Sequence, residues 1–356
     1  MSVLDLIRTE LLESSSYNPG DDTMPHRLHA NELPWSAITA DSIGLNFYPE
    51  TQLKMQLQEQ LAQRYQINSD QIVLTRGSDD GIDLLVRLFL KARQDAFMQF
   101  PPTFSMYAFY VRLQQAQMIH CPLDPLTNFS LSLKQVNESW QEQCKIIMLC
   151  NPNNPTANLI DLSFIAELCT HYKNRSVIVV DEAYMEFANA QSATSLIPQF
   201  DNLIVLRTLS KAYGLAGLRL GAIIAQPQVI QAVNKIMAPY PLSSVVIHLA
   251  LQALTNNDWF ALALEKIKSA RTKLIEALRT YPFIEKIYPS EANFILVKTS
   301  YANELADWFT QQGISIRTFS DKSPLHHHLR ITVGDEQQNL LLLAALSSFQ
   351  NNVSGF

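Results

Sequence analysis

Lys211 stands in the stretch TLSKAYGLAGLRLG, between a polar Thr-Leu-Ser approach and a run of small residues that leads to Arg219. A lysine that only solvates a helix end needs no such setting. A lysine amine that attacks a carbonyl does, because it must be partly deprotonated, and an enclosed pocket with a second cation nearby favours that. Three further stretches carry groups suited to the same kind of site. In RGSDDGIDLL, Ser78 and Asp79 open a helical pattern after Gly77, where free backbone N–H groups and the helix dipole favour a phosphate. In CNPNNPTANL, Asn154 sits in a proline-stiffened loop with its side-chain amide available to a ligand oxygen. In VIVVDEAYMEF, Asp181 ends an apolar run, where a carboxylate must find a partner, and Tyr184 follows three residues later.

Each stretch alone has a plainer reading: an N-cap by Ser78 or Asp79, an ordinary turn at Asn154, a cap by Asp181. Together they share one chemistry. Lys211 supplies an amine that condenses with an aldehyde, and Asp181 a carboxylate that keeps a pyridine nitrogen protonated. Ser78, Asp79, Ser210 and Arg219 supply an anchor for a phosphate. Those are the requirements of a pyridoxal 5'-phosphate site.

The elements that must position these groups are short. QIVLT, AFMQF, KIIMLC, SVIVVD and NLIVLRT are apolar runs without polar alternation, as expected of strands buried on both faces. They alternate with helical stretches such as TQLKMQLQEQLAQRY, in which Leu53, Leu57 and Leu61 recur at every fourth position. This predicts an α/β fold with a mainly parallel sheet, whose ligand site lies in the loops after the strands. Beyond MAPYPLSS the texture changes to a long helical stretch over about 243–280, then IEKIYPS, NFILVKT, a helix near ANELADWFTQQG, and strands ISIRTF and HLRITVG. The expected division is an N-terminal arm over 1–45 that joins a small α+β domain over 243–356, and a large domain over 46–242.

Composition narrows the class. The 356 residues are 47% hydrophobic and 17% charged, with a net charge of −6, which is ordinary for a globular enzyme. No basic tract or aromatic-interleaved patch points to nucleic acid. The N-terminal stretch carries Asp5, Glu10 and Glu13 within an amphipathic pattern and reads as neither a signal peptide nor a membrane span. Cys121, Cys144, Cys150 and Cys169 lack metal-type spacing and suit reduced thiols of a cytoplasmic protein. The run His326, His327, His328 is read as a solvated loop rather than a metal site, since no carboxylate or cysteine motif accompanies it.

In order, SYNPG, LHANELPW, YPE, GSDDGIDLL, FPPTFSMY, NPNNPT, DEAYMEF, RTLSKAYGLAGLRLG, APYPLS and LRITVG carry a likeness that spans nearly the whole chain. The sequence resembles the class II aminotransferases of fold type I that depend on pyridoxal phosphate, most closely the histidinol-phosphate aminotransferases. The resemblance implies that Lys211 bonds the cofactor aldehyde, Asp181 pairs with the ring nitrogen, and Asn154 and Tyr184 meet the phenolic oxygen. It puts Phe104 on the ring face and sends Tyr48 to the cofactor phosphate of a neighbouring subunit, which implies a homodimer with shared sites. Tyr17, Asn31, Asn154, Arg317 and Arg330 fall at substrate-binding positions, the two arginines receiving anionic groups. Histidinol phosphate and 2-oxoglutarate are the implied substrates, in a step of histidine biosynthesis. Similar sequences include aromatic amino-acid aminotransferases and phosphothreonine decarboxylases, and the fold also allows a cofactor-binding regulator without turnover. Four positions depart from the usual pattern. Phe104 replaces a tyrosine, Ala157 a glycine and His29 an asparagine, and NFYPE lacks the arginine often found before Tyr48.

Overall fold

The computed structural model describes residues 26–27, 51–238 and 240–353. After a two-residue strand β1 (His26–Arg27), helix α1 (Thr51–Tyr65) precedes β2 (Ile72–Thr75), α2 (Gly77–Phe89), β3 (Ala96–Gln99), α3 (Met106–Leu113) and β4 (Gln117–His120). Then come α4 (Leu133–Ser139), β5 (Cys144–Cys150), α5 (Leu162–His171), β6 (Val177–Asp181), β7 (Leu203–Thr208), β8 (Gly221–Ile224) and α6 (Pro227–Ile236). Strands β2 to β8 form one seven-stranded sheet in the order β2-β8-β7-β6-β5-β3-β4.

Apart from β4 at the edge, its strands are buried on both faces, as the unbroken apolar runs required. Side chains alternate between two cores. Leu203, Val205, Ile178, Val180, Ile147 and Leu149 join one, packed under α1 and α5. Ile204, Leu206, Val179, Ile146 and Met148 join the other, with Ile82 and Leu85 of α2 and Val111 of α3. Truncating a fully buried leucine such as Leu206 to alanine costs about 2–5 kcal/mol.

Strand β8 is the exception to the parallel order, antiparallel to both β2 and β7. The chain leaves β7, makes the Lys211 loop and returns at once beside the strand it left, with no crossover helix to reverse it. This return has a consequence for the site. Thr208 and Thr75 both pair with Gly221, so the loops after β2 and β7 meet across the start of β8. A Cβ on Gly221 would lie 2.6 Å from the backbone carbon of Gly77, and only glycine permits that approach.

The C-terminal part comprises α7 (Ser244–Thr255), α8 (Asn257–Leu278), β9 (Lys286–Ile287), β10 (Phe294–Lys298), α9 (Ala302–Gln311), β11 (Ile314–Ser315), β12 (His328–Thr332) and α10 (Glu336–Val353). The long helical stretch over about 243–280 consists of two helices. Asn256 leaves helical geometry (φ −91°, ψ 67°), and its side chain accepts a hydrogen bond from the Trp259 amide at 3.2 Å, capping α8. Strands β12, β10 and β9 make an antiparallel sheet. The expected strand ISIRTF shrinks to Ile314–Ser315, which pairs with β1, followed by a lone bridge from Arg317 to Arg330.

Candidate active site

Because β2, β8, β7, β6 and β5 are neighbours in that order, the four chemical stretches end side by side. Ser78, Asp79, Phe104, Asn154, Asp181, Tyr184, Ser210, Lys211 and Arg219 line one cleft. Cys150, Ala183 and Thr208, given no role in the sequence, line it too. Tyr17, Asn31 and Tyr48 lie outside the described residues.

One end of the cleft is built for an anion. The backbone N–H of Arg76, just before α2, is taken by the Asp80 carboxylate at 3.0 Å, and neither Ser78 nor Asp79 caps the helix. Ser78 and Asp79 are left at the cleft. Gly77 opens the helix with φ +79°, and a Cβ there would come within 2.5 Å of Arg219 Nη2. The guanidinium thus packs over the first turn of α2, donating to Ser210 Oγ at 3.1 Å and to Asp79 Oδ2 at 3.4 Å. The Thr208 hydroxyl also donates to Ser210 Oγ, at 2.9 Å. A helix N-terminus, two hydroxyls and an arginine converge here, the donor set that holds a phosphate.

At the other end lies Asp181, only 2% exposed. Its Oδ2 accepts from the Tyr107 hydroxyl at 2.7 Å and its Oδ1 from the Ala183 amide at 3.2 Å. Neither donor is a cation. Burial, only partly offset by the Tyr107 hydrogen bond, therefore raises its pKa to about 6. A buried carboxylate in that condition gains most from a positive group facing it across the cleft, which a protonated pyridine nitrogen would be. Asp79 is also raised, by burial, with Arg219 and Lys211 opposing. The residues present therefore fit pyridoxal phosphate at both ends.

Between them, Lys211 Nζ lies 5.7 Å from the centre of the Tyr184 ring. Asn154 donates to the Tyr184 hydroxyl at 3.5 Å, and its side-chain oxygen accepts from Arg330 Nη1. Arg330 is buried, with its guanidinium 5.2 Å from the Phe294 ring centre. Arg317 exchanges both backbone hydrogen bonds with Arg330, at 3.1 and 2.9 Å. The structure thus brings Arg330 to the cleft through Asn154 and sets Arg317 beside it on the strand edge.

Asp181 and its neighbour Glu182 turn to opposite faces. Glu182 is fully buried, paired with Arg207 at 2.6 Å, and Arg207 also meets Glu186 at 2.7 Å. The histidine run departs from the solvated loop expected. His328 begins β12 and is buried, with Nε2 3.2 Å from the Tyr288 hydroxyl, and burial lowers its pKa to about 4. The described residues contain no group of three or more His, Cys, Asp or Glu suited to a metal.

A family model described as aminotransferase class I and II matches residues 10–346. The chain belongs to that family. As an aminotransferase of this family it depends on pyridoxal phosphate. It is 61% identical to histidinol-phosphate aminotransferase 1 of Legionella pneumophila (strain Lens), over 100% of this chain and 98% of that one. It is 35% identical to histidinol-phosphate aminotransferase of Francisella philomiragia, over 97% and 95% of the two chains. Among solved structures, histidinol-phosphate aminotransferase of Sinorhizobium meliloti in complex with pyridoxal-5'-phosphate superposes with a TM-score of 0.84 at 22% identity, covering 98% of both chains. This aminotransferase thus has the fold that sequence patterning implied.

Proposed function

We propose that the protein transfers the amino group of L-histidinol phosphate to 2-oxoglutarate, giving imidazole acetol phosphate and glutamate in histidine biosynthesis. The observation that carries this reading is full-length likeness to proteins of that name, joined to a cleft in which Lys211, Asp181 and the Ser78–Ser210–Arg219 anchor are all in place. The decarboxylase reading has a likeness of fold behind it at 22% identity, against 61% identity over the whole chain for the histidinol-phosphate reading.

Pyridoxal phosphate, when bound, supplies an aldehyde that takes up amino groups and a ring that accepts electrons from the substrate carbon. Ser78, Ser210, Arg219 and the first amides of α2 bind its phosphate. Asp181 holds a proton on the ring nitrogen, and Phe104 covers a ring face. Lys211 Nζ removes the proton from the substrate α-carbon. Asn154 and Tyr184 orient the phenolic oxygen. Arg330 receives the carboxylate of the keto acid and, with Arg317, the phosphate of the donor.

Tyr17 and Asn31 complete the substrate pocket, and Tyr48 reaches the cofactor phosphate of a second subunit in a homodimer. The chain divides into an arm over 1–45, a cofactor domain over 46–242 and a small domain over 243–356, and works in the cytoplasm. No helix among the described residues is long and apolar enough to cross a membrane. Expression in a bacterium lacking its own histidinol-phosphate transaminase tests the function. Growth without histidine is expected from the wild type and not from Lys211→Ala; failure of the well-expressed wild type would contradict it.

A further inference from the structure

Asp181 is held by a residue that the cofactor itself does not need to touch. Tyr107, in the first turn of α3, is 0% exposed and sends its hydroxyl to Asp181 Oδ2 at 2.7 Å, across 74 positions of sequence. A buried tyrosine hydroxyl must find an acceptor. A backbone carbonyl satisfies that need anywhere in a core, whereas here the acceptor is a carboxylate in the cleft. The ring of Tyr107 meets Phe104 edge to face, with centroids 5.5 Å apart. One side chain thus supports both the group on the ring face and the group at the ring nitrogen.

We propose that Tyr107 is a positioning residue for the transamination: its donated hydrogen bond fixes the plane of the Asp181 carboxylate and keeps it ionised, so that its free edge can hold a protonated ring nitrogen. The inference rests on the role given to Asp181 above. The charged groups of Lys211, Arg219 and Asp79 share the cleft with that carboxylate. Burial raises its proton affinity, and the acidic groups of Asp79 and Glu182 add to the rise, while Tyr107 is the largest opposing influence. Cys150, beside both, is kept as a neutral thiol by its own burial, with a pKa of about 12. Tyr107 is itself held well above its ordinary pKa by burial and by Asp181, so its hydroxyl stays a donor. Without that donor, Asp181 would retain one backbone amide, would be free to rotate about its last torsion, and would take up a proton more readily.

The test compares Tyr107→Phe, Asp181→Asn and the double variant. In the cofactor-free protein labelled with 13C at aspartate carboxyls, the Asp181 signal is the one missing from Asp181→Asn. Tyr107→Phe should raise the midpoint of that signal's titration by about one unit or more. In the holoenzyme, Tyr107→Phe should lower kcat about 10- to 100-fold, with KM for the amino donor changed less than about threefold, and should add nothing in the Asp181→Asn background. Fluorotyrosine at position 107, a stronger donor that retains the ring, should move the midpoint down. An unshifted midpoint in both substitutions, or a loss of kcat that persists undiminished in the double variant, overturns the proposal. If Asp181→Asn alone leaves kcat near wild type, the role of Asp181 fails instead, and the carboxyl titration still reports whether Tyr107 governs it.

Discussion

Arg330, on β12 of the small sheet, donates through Nη1 to the side-chain oxygen of Asn154, in the loop after β5 of the large sheet. A residue proposed to hold substrate anions is therefore locked to one proposed to orient the cofactor, and both are buried. Arg330→Ala removes an anion fork and leaves the Asn154 oxygen without its charged donor. It is expected to reduce kcat/KM by about 100-fold or more for both the amino donor and 2-oxoglutarate. Arg317→Ala should act mainly on the phosphorylated donor. Equal losses for both substrates in Arg317→Ala, in separately measured half-reactions, would show that the two arginines do not divide the work this way.

Asp181 gives a prediction with a sign. Its pKa is about 6 in the fold, against about 3.9 when unfolded. The folded carboxyl holds its proton more tightly, so it favours folding below about pH 4, and this contribution is lost as pH rises through about 6. Asp181→Asn lacks this dependence. In denaturant unfolding of the cofactor-free proteins, the stability of Asp181→Asn relative to wild type should therefore rise between those limits by about 3 kcal/mol and level off above. A flat difference across that range would refute the environment assigned to Asp181. In the holoenzyme the same variant should lose about 100-fold or more in kcat, since a neutral amide supports a protonated ring poorly.

Behind the cleft, Arg207 neutralises two buried carboxylates, Glu182 and Glu186. Burning off that one cation strands both. Arg207→Met should cost about 3–5 kcal/mol in chemical denaturation, whereas Arg76→Met, which breaks an exposed pair with Asp80, should cost under about 1 kcal/mol. Comparable small losses for both would mean that the buried pairing contributes little.

Subunit mixing tests whether sites are shared between subunits, as proposed. Lys211→Ala and Tyr48→Phe subunits, each weak alone, should regain part of the activity when exchanged into hybrid dimers. In each hybrid one site carries both defects and the other neither. Demonstrated exchange without recovery would place each site within one chain.

How much of this was legible in the sequence depends on how local the signal was. Asp181, Asn154, Ser210 and Lys211 sit in or just past the loops where apolar strands end, so a reader of strand patterns meets them together. Helix α1 was legible over its full span, because Leu57 and Leu61 are both fully buried on one face. What needed three dimensions was non-local. The antiparallel course of β8 is set by the return of the Lys211 loop, not by anything in the composition of GAII. Tyr107 was visible in FPPTFSMY, but its partner lies across the fold. His328 looked like one of three exposed histidines until its pairing against β10 buried it. That Asp80, two residues past Ser78, takes the Arg76 amide is finer than spacing resolves.

The central claim concerns the donor, and one comparison addresses it most directly: kcat/KM of the purified holoenzyme for histidinol phosphate, phenylalanine and tyrosine, with 2-oxoglutarate as acceptor. Phenylalanine and tyrosine bring a carboxylate that Arg330 can take, but no phosphate to engage Arg317 as well. Histidinol phosphate is expected to be preferred by about 100-fold or more. Use of phenylalanine or tyrosine as well as or better than histidinol phosphate would contradict the assignment and make the protein an aromatic amino-acid aminotransferase.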